Sequence, residues 1–500
     1  MTATHYHVIM NKKAILTITV AAFLQAATAT TRYASPTGTD ANGTTIEAPG
    51  NLSSMINKLQ AGDELFLLDG QYDFTTTLSI NRKGKADNYI LIAAYPGAKP
   101  ILDFRNAALK TNAVKVGGQY LHLRGFTIRY SGYKGIWVEG GTYNILENLD
   151  VYGCCNAGIQ LRSGGYNMVI NCDSHDNFDY QDNGGNADGF ADKQGNTCPG
   201  NIYIGCRAWN NSDDGWDSYE RVSKDTPTVY INCIAYGNGP ATFDLTNHPR
   251  ANGVDADFFA GKNLANYPNG GNPNGFKLGG KGTAHNTELY RCLAVGHRSK
   301  GFDQNNNAGE MTIVNCTAYK NKTNYGFGND YAYTLSIFNC ISLSPTGGNG
   351  SNYHLSTSNK GIVVQSNNTW LQGFTVSESD FESLDESLIL SPRNEDGSLS
   401  DILLLHLKQT ATNLIDKGIE FNDFTGNEIA DYVYFKGASP DLGCYEFSSN
   451  GEQGSTSIPS LFPSQGRVYD GLPIYDLQGH RVDASYKGIV VSKGHKYLQH

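Results

Sequence analysis

The feature that most limits how this chain can fold is a repeat. Six cysteines close similar strand-like phrases: "VINC" at Cys172, "YIGC" at Cys206, "YINC" at Cys233, "LYRC" at Cys292, "IVNC" at Cys316 and "IFNC" at Cys340. Their spacings are 34, 27, 59, 24 and 24 residues. Two residues after each comes a small side chain: Ser174, Ala208, Ala235, Ala294, Ala318 and Ser342. Asn148 and Gly125 extend this register upstream by 24 and 23 residues. A second column runs beside the first, a glycine followed by a large apolar residue. Its glycines are Gly135, Gly158, Gly189, Gly215, Gly275, Gly301 and Gly326, spaced by 23, 31, 26, 60, 26 and 25. Short β-branched strands repeating at about 24 residues, with Gly/Asn turns between them, read as a solenoid. Helix-period stretches are too few for leucine-rich or helical repeats. A parallel β-helix is therefore expected, each coil stacking its strands on the next.

The six cysteines then form an inward ladder of small, soft side chains. Disulfides and a metal site are the alternatives. Cys154, Cys155, Cys198 and Cys444 lie outside the ladder, and the sequence pairs none of them. The long step from Gly215 to Gly275 marks an insertion of roughly one coil plus a loop, and such loops often carry binding groups.

The N-terminus reads as an export signal, residues 1–29, with a possible start at Met10. Lys12 and Lys13 precede an apolar run from Ala14 to Leu24, and Ala27-Thr28-Ala29 offers small residues for cleavage. The run is too short to span a bilayer. Residues 30–446 are expected to form the β-helix with an N-terminal helical cap and a C-terminal capping segment. Residues 447–500 read as a linker and a small β tail. A secreted monomer with no membrane span is expected. The net charge of -10 argues against a nucleic-acid binder.

The stretch "NSDDGWD", Asn211 to Asp217, crowds three carboxylates that repel one another. Aligning the glycine columns shows what they meet. The residue after each glycine is apolar (Phe190, Trp216, Phe276, Phe302) and should face inward. The next one faces outward by strand alternation: Ala191, Asp217, Lys277 and Asp303. The residues before the glycines are Asp188, Asp214, Asn274 and Lys300, with Asp213 alongside. Asp188, Asp213, Asp214 and Asp217 thus converge, with Lys277 at their flank. One amine does not neutralise four acids. A hard divalent cation would, and an all-oxygen set suits Ca²⁺ rather than zinc or copper. The plain alternative is a solvated acidic turn. Lys277 is either a salt-bridge partner or a general base.

In this order, "NADGFADK", "SDDGWD" and "NGFKLGG" resemble polysaccharide lyase family 9, over roughly residues 33–446. The resemblance implies a right-handed parallel β-helix. It implies Ca²⁺ held by Asp188, Asp213, Asp214 and Asp217, Lys277 as the base, and endo-acting β-elimination on a pectic, galacturonate-containing polysaccharide. Arg162, Lys193, Tyr219, Arg298 and Lys300 are further candidates to touch the sugar chain. A β-helix pectin hydrolase and a non-catalytic glycan-binding solenoid are the competing readings. The outward face is mixed in charge, with Asp303, Glu139 and Glu310 near the expected track. This leans the substrate toward rhamnogalacturonan I, with pectate on homogalacturonan as the alternative. The tail resembles short sorting segments of secreted enzymes.

Overall fold

A computed structural model describes residues 29–195, 199–328, 333–356, 361–420, 435 and 437–448, and the tail strands Ile474–Asp476, Arg481–Val482, Gly488–Ser492 and His495–Gln499. The export signal therefore lies outside the described residues, except for Ala29, and so does Cys198.

Three parallel sheets of twelve, ten and ten strands run the length of the solenoid. Each full coil gives one strand to the first sheet, one to the third and one to the site sheet. Met168–Ile170, Asp173–His175 and Phe190–Asp192 are one such set. The cysteine phrases sit at the corner between the first and third sheets. The residue before each cysteine turns the chain in the left-handed region: Asn171 (φ 52°), Gly205 (60°), Asn232 (52°), Arg291 (52°), Asn315 (52°) and Asn339 (57°). Asn and Gly tolerate that conformation best, which explains the recurrent "NC". The cysteine itself turns inward. All six are fully buried thiols, and every cysteine among the described residues is free. Pairing of Asp150 with Asp173 aligns Asn148 with Asn171 and puts Leu149 in the cysteine position. The upstream extension of the ladder therefore belongs one residue later than the spacing suggested.

The glycine column has a different cause. Gly215 is not in the left-handed region. A Cβ there would lie 2.6 Å from the Gly275 carbonyl oxygen and 2.9 Å from the Asn238 amide. Close approach of successive coils, rather than a bend, requires glycine. Behind this column the inward rings stack: Phe190–Trp216 at 4.8 Å, Trp216–Phe276 at 4.7 Å, Phe276–Phe302 at 5.1 Å and Phe302–Tyr325 at 5.0 Å. Each such pair adds roughly 0.5–1.5 kcal/mol beyond area burial. At the neighbouring corner buried amides link coil to coil, Asn177 to Asn211 (2.8 Å) and Asn211 to Asn238 (2.9 Å).

The ends differ. The helix Leu52–Lys58 starts at Asn51, whose side chain accepts from the Ser54 N–H, and buries Leu52, Met55 and Ile56 at the first coil. Trp370 closes the far end of the core, stacked on Tyr353 at 4.9 Å. Among the described residues, the rest of the C-terminal segment lies away from that end. It runs back along the outer face of the third sheet, burying Phe381, Ile389, Leu404 and Leu407 against Ile234, Leu293, Val295, Tyr319 and Leu343. Left uncovered, these outward residues would make a large exposed apolar patch, and the segment folds back over them. The tail strands form a four-stranded antiparallel sheet of their own. No helix of the described residues is long and apolar enough to cross a membrane.

Candidate active site

The site sheet carries one outward row. Strand pairing aligns Ser79, Lys115, Trp137, Gln160, Ala191, Asp217, Lys277 and Asp303 on successive coils. At the bend entering each strand, the Gly189 N–H donates to the Asp214 carbonyl and the Gly215 N–H to that of Asn274. Asp188, Asp214 and Asn274 therefore stack as the glycine register requires.

Asp188, Asp213 and Asp214 each offer one carboxylate oxygen to a group lying within 4.8 Å of one another. All three are buried. Asp217 stands beside this triplet rather than in it. Its Oδ2 lies 2.7 Å from Lys193 Nζ and its Oδ1 3.3 Å from Lys277 Nζ, and Oδ1 accepts from the Tyr219 N–H at 2.9 Å. Lys193 also reaches Asp188 (2.7 Å), and Lys277 reaches Asp214 (2.9 Å). The insertion returns over the cluster, where Asn274 donates twice to Asp214 at 2.8 Å and the Asn272 N–H donates to Asp213 at 3.0 Å.

Four carboxylates thus face two ammonium groups, which leaves two negative charges. Burial, helped by Asp217 and Asp214, pushes the Asp188 carboxyl up to about 7. Burial and Asp217 push Asp214 to about 6, and burial with Asp214 and Asp188 drives Asp213 well above its usual range. Burial works against Asp217 too, yet Lys193 and Lys277 hold it below. Burial disfavours the Lys277 ammonium, but the surrounding aspartates hold its pKa well above the ordinary lysine value. An excess of two charges, with a compact all-oxygen donor set lacking His and Cys, fits a hard divalent cation such as Ca²⁺. Asp188, Asp213 and Asp214 are the residues whose oxygens could hold one.

Residues 32–352 match the family described as Pel9A-like, right handed beta helix region. The chain belongs to that family. "Pectate lyase L" of Dickeya dadantii (strain 3937) is 34% identical over 428 residues, covering 83% of this chain and 90% of the relative. The crystal structure of pectate lyase Pel9A superposes with a TM-score of 0.68 at 32% identity, covering 84% of this chain and 96% of Pel9A. A structure named rhamnogalacturonan lyase gives 0.63 at 25% identity, covering 76% and 96%. The solenoid is thus right-handed, and the chain is a polysaccharide lyase.

In this Pel9A-like chain the other candidates divide. Lys193 points outward, but it is buried as the second counter-ion of the acidic cluster, not presented to solvent. The sequence had counted one amine where the fold supplies two. Arg298 braces the insertion, donating to the carbonyls of Gly239 and Gly271. Lys300 is held by Asp303 at 2.8 Å. Tyr219 lies with its ring 5.6 Å from Lys277 Nζ. Arg162 is half-exposed, 3.9 Å from Glu139. Glu310 opens a strand of the first sheet and is not on the row. Asn274 and Asn272 were missed as carboxylate partners. Asn274 stood in the same column as Asp188 and Asp214, and that was the available signal.

Proposed function

We propose that this protein is a secreted, Ca²⁺-dependent, endo-acting pectate lyase. The observation that carries the reading is the buried Asp188–Asp213–Asp214 triplet, whose Asp214 contacts Lys277 on the outward row of the site sheet. The names of the relatives support pectate over the lean toward rhamnogalacturonan I. The fold neighbour named rhamnogalacturonan lyase keeps that polymer as the second reading.

Lys277 removes the proton from C5 of a galacturonate residue. The electron pair left at C5 forms the C4–C5 double bond as the bond from C4 to the glycosidic oxygen breaks. The leaving oxygen takes a proton from water, and the new chain end is unsaturated. As a base Lys277 must be neutral, and Asp214 and Asp217 both oppose this while they orient its amine. When bound at the triplet, Ca²⁺ would draw on the Asp214 carboxylate that holds the Lys277 proton and offset the charge of the substrate's C6 carboxylate. The row continues on both sides of Lys277, which suits cleavage within a chain.

The test is ultraviolet absorbance of the conjugated product on polygalacturonate and on rhamnogalacturonan I, with Ca²⁺ and with chelator. Faster release from polygalacturonate, abolished by chelator, is expected. Replacing the base, Lys277→Ala, should lower kcat by roughly a hundredfold or more. Saturated products alone would replace the lyase by a hydrolase, and a preference for rhamnogalacturonan I would restore the second reading. Exported protein beginning at Thr30 would support secretion.

A further inference from the structure

Among the described residues, two lysines without a carboxylate partner, Lys115 and Lys134, lie upstream of the acidic cluster on the site sheet. Lys134, at the bend before Gly135, is about nine-tenths buried; among the described residues its ammonium makes no ion pair and no hydrogen bond, and its nitrogen keeps contact with solvent. Its nearest company is aromatic: the Tyr133 ring at 3.5 Å and the Trp137 ring at 5.8 Å. Lys115 Nζ lies 4.6 Å from the same Trp137 ring. Among the described residues Trp137 Nε1, a donor, and Glu139 Oε2 and Gln160 Oε1, both acceptors, are buried without a hydrogen-bond partner. A ring face returns only part of what desolvating an ammonium group costs. Burial, with Lys193 and Arg162 nearby, lowers the Lys134 pKa to about 7. An anion beside it would reverse that.

The position says which anion. Trp137 and Lys277 belong to one row, separated by Gln160, Ala191 and Asp217. Four strand spacings make about 19 Å. A linear polyuronate engaged at Lys277 and lying along the row passes over Lys134. We propose that Lys134, with Lys115, forms a carboxylate-binding subsite for a uronate residue remote from the scissile bond. The subsite rests on the polyuronate reading of the active site. It deepens that reading by making affinity depend on chain length and carboxylate density.

The experiment compares wild type, Lys134→Met and Lys134→Arg. Titration calorimetry with polygalacturonate gives affinity, and initial rates on the polymer and on oligogalacturonides of increasing length give KM and kcat. Lys134→Met should raise KM and Kd for the polymer roughly tenfold, the loss of one charge-assisted contact, with kcat little changed. KM for the shortest cleaved oligomer, which does not reach the subsite, should stay the same. Lys134→Arg should recover most of the affinity. The Tm of Lys134→Met should hold or rise, because a buried charge is gone. An unchanged KM on polymer, or an equal rise on the shortest oligomer, overturns the subsite while leaving the lyase intact. A wild type that neither binds nor cleaves any polyuronate overturns both.

Discussion

A single ammonium group, Lys193 Nζ, lies 2.7 Å from both Asp188 and Asp217. It sets the charge that a cation must balance. Removing it as Lys193→Met should destabilise the calcium-free protein by roughly 3 kcal/mol, because paired buried carboxylates lose their partner. Ca²⁺ should recover more stability in this variant than in wild type. Thermal melts in chelator and in calcium check this, and equal losses in both would refute it. His175 gives a pH test away from the site. Burial disfavours its charged form, but Asp150 and Asp176 outweigh burial and hold its pKa up at about 9. A raised folded pKa stabilises fully below the unfolded value near 6.5, and the gain is lost as pH rises through 9. The stability difference between wild type and His175→Gln, from urea unfolding, should therefore shrink between those pH values. The acidic residues were legible because two columns located them independently. The role of Lys193 was not, because alternation gives the side on which a side chain emerges and not where four methylenes let it reach. Asp192 shows the same limit. It faces inward, which a charge does only with a partner, and that partner, Arg221 at 2.8 Å, comes from a turn on the next coil.

The strands of the solenoid announced themselves by period, whereas the segment after residue 375 did not. It has no repeat, and its place depends on apolar rows of the third sheet that reveal their exposure only after the coils are stacked. One carboxylate clamps it. Asp173 accepts from Arg207 and from Arg393 at 2.6–2.7 Å, and Arg207 also donates to the carbonyls of Ile389 and Ser391. Asp173→Ala leaves the buried Arg207 and the part-buried Arg393 without their shared carboxylate. The segment should then detach at lower urea than the solenoid, and limited proteolysis should cut it first. Retention of a single cooperative transition would show that the apolar contacts suffice.

Across the whole molecule, coils touch mainly their sequence neighbours, so unfolding need not be all-or-none. The buried thiols at Cys172, Cys206, Cys233, Cys292, Cys316 and Cys340 occupy successive coils in chain order. They serve as a position-coded clock. In native protein a thiol reagent should find none of them. Under mild denaturant, pulse labelling and peptide mass spectrometry would read the time at which each one opens. Fraying from the Trp370 end should label Cys340 first and Cys172 last, whereas simultaneous labelling would mean that the stacked rings bind the coils into one cooperative unit. A corner packed with sulfur for the sake of size thus records the direction in which the solenoid comes apart.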